Sequence, residues 1–319
     1  MKKLYAGLAA LCLSASGAHA DCGDVSISEP NWSSGALLTS ISKFLMEQGY
    51  GCSVTTLPGG SIPTLTSIAE TGKPDIVAEL YPNSAPIYYE LEAEGKVASL
   101  SQVLSPGSIE GWWVPKYLAD AHPEVTTIDG ILADPSVVGG LFHNCPTGWG
   151  CRVKNDNLKV AFEFEAAGLE MFDHGSGETL ASSIASAYED KAPWFGYYWS
   201  PTALMGRYEM VQVDMGAFDE DAYACIKGDE CANPQRTAFG ASPAFIAATP
   251  DFQQREPDVA DMLTMVSFTN AEMQQLLAWQ EDNNASSDET AVYFLQNFQD
   301  HWSGWLNDAA RENLSALLQ

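Results

Sequence analysis

The chain of 319 residues carries 42 acidic against 15 basic side chains, a formal net charge of −27. An excess of that size argues against nucleic acid or an anionic membrane as partner, and its field attracts cations. The length supports two lobes with cores of their own, and beyond the N-terminus there is no second long apolar stretch, low-complexity tract or internal repeat.

Lys2 and Lys3 precede the apolar run Leu4 to Leu13, and Ala18-His19-Ala20 has the small-x-small pattern of a cleavage site. Residues 1–20 therefore read as a secretory signal peptide, with an apolar run too short to span a bilayer. The mature chain is expected to begin at Asp21 and to be periplasmic. Cys22 has no good lipobox before it and is not read as a lipid anchor. Cleavage removes two basic residues, which leaves 13 against 42 acidic ones and a net charge of −29. It also removes Cys12, leaving six of the seven cysteines. An even number in an exported chain reads as a disulfide framework. Six cysteines allow fifteen pairings, but Cys145/Cys151 and Cys225/Cys231 are Cys-x5-Cys pairs that can close locally, which leaves Cys22 with Cys52. Zinc fits poorly, because there is no CxxC and the histidines are scattered.

The chain then alternates strand and helix. Val25 to Glu29 predicts a strand, and Asn31-Trp32-Ser33-Ser34 offers a serine cap for a helix through Leu37, Leu38, Ile41, Phe44 and Leu45. Gly49 and Gly51 end it. Cys52 to Leu57 predicts a second strand, Pro63 to Glu70 a helix, and Asp75 to Leu80 a short buried strand. This βαβαβ order implies a parallel sheet, with ligands bound beyond the C-terminal strand ends, where Trp32, Glu79 and Tyr81 lie. A second unit starts near Ile109. Gly111 to Pro115 reads as a strand or crossover segment, Tyr117 to Ala121 as helical, and Val137 to Phe142 as a strand entering the first Cys-x5-Cys loop. Helices are expected over Val160 to Gly168 and Glu178 to Asp190. Ala192 to Pro201 reads as a buried strand with an aromatic tip, and Met210 to Asp214 and Phe245 to Ala248 as further strands. The C-terminal part reads as helices over Asp258–Phe268, Ala271–Glu281 and Ser287–Leu306, the last with a Ser286/Glu289 capping box.

The loop Cys145-Pro146-Thr147-Gly148-Trp149-Gly150-Cys151 concentrates the chemistry. A short disulfide ring limits backbone freedom, and glycines let N–H groups approach a ligand closely. An indole face attracts cations and free N–H groups attract anions, so a zwitterion with a bulky cationic end would use both. The same residues also read as a stabilised turn around a buried Trp. Trp32, Tyr81, Trp112 or Trp113, Trp149 and Trp199 sit in loops or at strand ends, whereas Trp279, Trp302 and Trp305 read as core fillers on helices. Trp194 has the opposite strand parity to Trp199. Strand-end aromatics from both lobes suit quaternary ammonium, which cannot donate ordinary hydrogen bonds and is easily desolvated. Glu79 shares a strand face with Tyr81. It reads either as a strand-end carboxylate held by backbone N–H groups or as a charge that favours a cationic headgroup, choline or trimethylamine N-oxide over a ligand with its own carboxylate. No triad, Gly-x-Ser-x-Gly or His beside a nucleophile points to an enzyme.

Three segments resemble the substrate-binding proteins of ABC importers for glycine betaine, choline and related compatible solutes, the ProX/OpuAC-like family. Cys145 to Cys151 is similar to its disulfide-closed Gly-Trp-Gly-Cys loop, Phe195-Gly196-Tyr197-Tyr198-Trp199-Ser200-Pro201 to its Tyr-Tyr-x-Trp-Thr-Pro strand end, and His301-Trp302-Ser303-Gly304-Trp305-Leu306-Asn307 to its closing helix. The resemblance implies an α/β, two-lobed periplasmic binding protein, type II-like, each lobe a mainly parallel sheet flanked by helices. The first lobe would be residues 21–106 plus 215–319 and the second 107–214, or in an alternative reading on through the Cys225/Cys231 loop. The family implies Trp149 and Trp199 as walls of a cation box and the N–H groups of Gly150 and Cys151 as receivers of the ligand's anionic end. It suggests Tyr81, Trp32 and Trp112 as further walls. One branch of the family holds a carboxylate with a His just after the third-wall motif; Ser84 stands near that place here, a departure that leaves an anionic end without that partner. The expectation is a monomeric binding protein without cofactor or metal, which captures a methylated onium solute (glycine betaine, choline, trimethylamine N-oxide or similar) for osmoprotection and delivers it to a membrane permease. A secreted carbohydrate-active hydrolase that pairs Glu79 with a second acid is the rival reading, and an exported sensor or adaptor on the same fold is another.

Overall fold

Ten strands carry the architecture of the computed structural model, which describes residues 22–317 apart from 229. They are β1 (Asp24–Glu29), β2 (Ser53–Pro58), β3 (Ile76–Leu80), β4 (Ala98–Pro115), β5 (Leu141–Asn144), β6 (Glu170–Asp173), β7 (Gly196–Ser200), β8 (Met210–Gln212), β9 (Ser242–Ala248) and β10 (Phe268–Thr269). The signal-peptide reading and the expected mature start at Asp21 lie outside the described residues.

The strand order is β2-β1-β3-β9-β4-β7-β5-β6, with β8 and β10 also on β4. β1 runs parallel to β2 and β3, because a helix intervenes each time: Ser33–Phe44, then Ser61–Thr71. The first helix buries Leu37, Leu38 and Ile41 completely, the face that its spacing predicts. Asp24 pairs with Ser53, and the preceding cysteines, Cys22 and Cys52, form a disulfide with Cα atoms 4.3 Å apart.

β4 is 18 residues long and serves both lobes. Ala98 to Ser108 pairs antiparallel with β9, and Ile109 to Trp113 pairs antiparallel with β7. Each lobe's sheet is therefore mixed. Pairs made inside βαβ units are parallel, and β9, β7 and β8 meet β4 antiparallel. Local connectivity dictates the first kind. The second arises because the chain crosses into the second lobe and returns, which no local pattern records.

The segment bearing the Cys225–Cys231 disulfide packs on the second lobe. Asn157 Nδ2 donates to the carbonyls of Ile226 and Gly228 at 2.9 and 3.0 Å, and Arg236 Nη1 meets Asp129 Oδ1 at 2.8 Å. The crossing back is made just before β9.

Several local expectations shift. The strand expected over Val137 to Phe142 is delayed to β5, because Gly139 and Gly140 take left-handed backbone at φ 83° and 68°. The helix expected from Val160 instead spans Gly150–Ala161 and opens inside the Cys145–Cys151 ring. Its buried face is Cys151, Lys154, Asn155 and Leu158, spaced as a helix requires, but two of those four are polar and hide the apolar period. The capping box at Ser286 and Glu289 forms; its helix ends at Asn297, short of Leu306.

Candidate ligand-binding site

The C-terminal ends of β1, β3, β5 and β7 converge between the lobes. Trp32 follows β1 and occupies the residue before helix Ser33–Phe44, with extended backbone that turns its indole out of the helix. No serine caps that helix; Ser34 spends its hydroxyl elsewhere. Glu79 on β3 is 1% exposed and collects three donors. Oε2 accepts from Trp32 Nε1 and, at 2.9 Å, from Ser34 Oγ, and Oε1 accepts from Tyr81 O–H at 2.9 Å. Burial pushes the Glu79 carboxyl above its ordinary range, against the pull of these donors. Burial and the neighbouring Glu79 carboxylate hold the Tyr81 phenol well above its usual value. Glu79 thus stands behind the two rings and fixes both, with its carboxylate met by side-chain donors and not by backbone N–H groups.

From the second lobe, the Cys145–Cys151 ring presents Trp149 immediately before helix Gly150–Ala161. Trp149 Nε1 donates across the cleft to Asn31 Oδ1 at 2.7 Å. Ile62 N–H reaches the Gly148 carbonyl at 3.4 Å, so the lobes touch at the rim of this loop. Trp199 and Tyr197 alternate on one face of β7. The rings meet edge to face: Trp32 and Trp149 at 5.4 Å between centroids, Trp149 and Trp199 at 5.1 Å, with Tyr81 tilted 6.4 Å from Trp32. They border a small cavity of about 40 Å³. Its other walls are Ser61, Ser84, Ser108, Glu110, Gly150 and Cys151. Gly150 and Cys151 open a helix, so their N–H groups have no intrahelical acceptor and carry the positive end of its dipole.

One end of the cavity is ionic. Glu110 on β4 pairs through Oε2 with Lys154 Nζ. Its Oε1 accepts from Ser84 Oγ and Ser242 Oγ, both at 3.0 Å. Lys154 is fully buried and also donates to Ser84 Oγ at 2.7 Å. Burial alone would depress this ammonium, but the Glu110 charge holds its pKa above the ordinary lysine value.

Trp112 is not at the cavity. It is completely buried at the centre of Phe142, Phe162, Phe164 and Phe195, with centroids 5.0–5.8 Å away, and its Nε1 donates to Asn155 Oδ1 at 2.9 Å. Trp113 is turned to the opposite face of β4 and donates to the Tyr198 carbonyl at 3.0 Å. The strand that bears them does reach the cavity, two and four residues earlier, through Glu110 and Ser108. Trp194 stacks on His143 at 5.2 Å, away from the cavity.

Residues 23–297 match the family model described as the substrate binding domain of ABC-type glycine betaine transport systems, OpuAC. The chain belongs to this family. OpuAC-family proteins are solute-binding proteins and not enzymes, and three solved structures share the fold. The glycine betaine/L-proline-binding protein ProX of Borrelia burgdorferi is 14% identical over 91% of this chain and 99% of its own, with a TM-score of 0.74. Lactococcal OpuAC, complexed with glycine betaine, is 15% identical over 89% and 100%, at 0.70. An ABC-transporter choline-binding protein complexed with choline is 17% identical over 93% and 99%, at 0.74. Among the described residues of this OpuAC-family chain, no helix is long and apolar enough to cross a membrane.

Sequence reasoning missed Ser61, Ser108, Glu110, Tyr197 and Lys154. The parity that set Trp194 apart from Trp199 also pairs Tyr197 with Trp199, so that residue was recoverable. The Glu110–Lys154 pair joins residues 44 apart and left no local signal.

Proposed function

We infer that this OpuAC-family protein captures a methylated onium solute between its lobes and delivers it to the permease of an ABC importer, working as a periplasmic monomer. The observation that carries this reading is the ring cluster: Trp32 and Tyr81 from one lobe and Trp149 and Trp199 from the other border one cavity, with the Glu79 carboxylate behind the first two. A trimethylated nitrogen offers no N–H and a diffuse charge, so ring faces can replace its water where hydrogen-bonding groups cannot. The helix start at Gly150 and Cys151 suits a partly negative far end. Closure brings the walls together and expels water.

The hydrolase reading finds no support in the two buried acids at this site. Glu79 already accepts three hydrogen bonds and Glu110 is paired with Lys154, so neither is free for proton transfer to a glycosidic oxygen. The test is a thermal-shift and calorimetric panel over choline, glycine betaine, carnitine, trimethylamine N-oxide and dimethylsulfoniopropionate against neutral sugars. A ligand at a hundred times its Kd adds about 2.7 kcal/mol, enough to raise Tm by several degrees. At least one methylated onium compound should do so and the sugars should not. A sugar response without an onium response would overturn the assignment.

A further inference from the structure

We propose that Ser84, gripped between Glu110 and Lys154, is the latch that holds the two lobes closed over a captured ligand. The inference rests on the onium reading of the cavity, but its chemistry lies beside the rings. Glu110, in the part of β4 paired with β7, and Lys154, on helix Gly150–Ala161, both belong to the second lobe. Ser84 comes from the first, in the turn Pro82–Ser84 that follows β3. A serine hydroxyl has one proton to give and two lone pairs. Here the proton goes to Glu110 Oε1 at 3.0 Å and a lone pair receives Lys154 Nζ at 2.7 Å. The Ser84 carbonyl packs against Gly150 so closely that a Cβ there would lie 1.3 Å from it. One residue of the first lobe is thus held by three of the second.

These contacts exist only while the lobes are together. Parting them opens to water the side of the Glu110–Lys154 pair that Ser84 covers, while Ser242 stays on Glu110 and Tyr223 on Lys154. Closing replaces that water by a single hydroxyl bonded to both charges, and bonds to charged groups are the strong ones. An interaction made only in the closed state favours that state by the same amount whatever ligand it encloses. The hydroxyl proton is used up, so Ser84 has none to offer a ligand's anionic end. Ser242 is the internal contrast. It donates to the same Glu110 oxygen, but from β9, which is paired with β4 at Ser108, so its bond does not depend on closure.

The experiment compares Ser84→Ala and Ser242→Ala with wild type. Kd is measured by calorimetry for choline, glycine betaine and trimethylamine N-oxide, and dissociation rate by stopped-flow tryptophan fluorescence. In parallel, spin labels at the exposed positions 94 and 165, one on each lobe, report the inter-lobe distance without ligand. Ser84→Ala should weaken every ligand that binds by a common factor of roughly ten or more, through faster dissociation, and shift the labels to longer distances. Its ligand-free Tm should fall only slightly, because the open state that remains does not make these bonds. Ser242→Ala should lower Tm and leave the dissociation rates near wild type. Unchanged affinities for Ser84→Ala, or loss of one ligand alone, would overturn the latch. If wild type binds none of the three, the onium reading fails instead, and the labels decide the latch alone: identical distance distributions refute it, longer ones in Ser84→Ala sustain it.

Discussion

Glu79→Gln removes one negative charge from behind the ring cluster and leaves the side chain's shape intact. In the native arrangement Oε2 serves Trp32 and Ser34 while Oε1 serves Tyr81. With the amide oxygen at the Oε2 position, Trp32 and Ser34 keep their acceptor. The amide N–H₂ then faces the Tyr81 oxygen, which can accept, so the number of hydrogen bonds is preserved and only the charge changes. For a ligand cation taken to sit about 7 Å in front of Glu79, an effective dielectric of about 20 gives a contribution on the order of 2 kcal/mol, or roughly thirtyfold in Kd. Choline affinity should fall toward that limit. Glycine betaine should lose less, because the carboxylate it carries no longer faces Glu79. Stability should move the other way. Burial raises the Glu79 pKa, so the fold holds this proton more readily than the unfolded chain does. The ionised group therefore costs stability above its folded pKa, and the cost is relieved as pH falls through that value. Gln has no such cost, and the ligand-free Tm at pH 7 should hold or rise. Calorimetry with both ligands and thermal melts without ligand check these outcomes. Equal weakening of both ligands with a lower Tm would mean that Glu79 acts only by holding Trp32 and Tyr81, and the charge argument would be refuted.

Trp149→Ala and Trp199→Ala should each weaken onium binding by roughly 1–3 kcal/mol, whereas Trp302→Ala, buried in the first lobe, should lower Tm and leave the Kd of folded protein unchanged; calorimetry beside thermal melts separates the two. Gly150→Ala places a methyl group on the Ser84 carbonyl and should abolish measurable binding by blocking closure, while ligand-free protein melts near wild type. Burial and then the neighbouring His174 lower the His143 pKa to about 4, so the unfolded chain takes up this proton first. The stability it contributes is present above about pH 6.5 and is lost as pH falls from there toward 4; His143→Gln should flatten that slope in Tm measured between pH 7 and 4.5. Thiol labelling of unfolded, unreduced mature protein should find no free thiol among the bonded pairs Cys22–Cys52, Cys145–Cys151 and Cys225–Cys231, and two or more reactive thiols would reject the framework.

By itself the sequence determined what short-range pattern encodes. Leu37, Leu38 and Ile41 at helical spacing marked the helix that separates two parallel strands. Ser286 with Glu289 marked a helix start, and parity placed Glu79 and Tyr81 on one face. The position of Trp32, Tyr81, Trp149 and Trp199 at strand ends was legible because ligands in α/β sheets collect there, and the topology gathers those four around one cavity. Tertiary structure alone decided the rest. Trp112 and Trp113 could not be told from wall residues by type, since whether a strand position meets the cleft or a core depends on how far along β4 the lobes separate. Helix Gly150–Ala161 was hidden because Lys154 and Asn155 occupy buried positions, and a buried polar side chain erases the apolar period that reveals a helix. Lys154 tolerates that burial only because folding brings Glu110 and Ser84 to it, residues 44 and 70 positions away. A charge pair assembled at that separation is a property of the closed fold and has no counterpart in the order of residues along the chain.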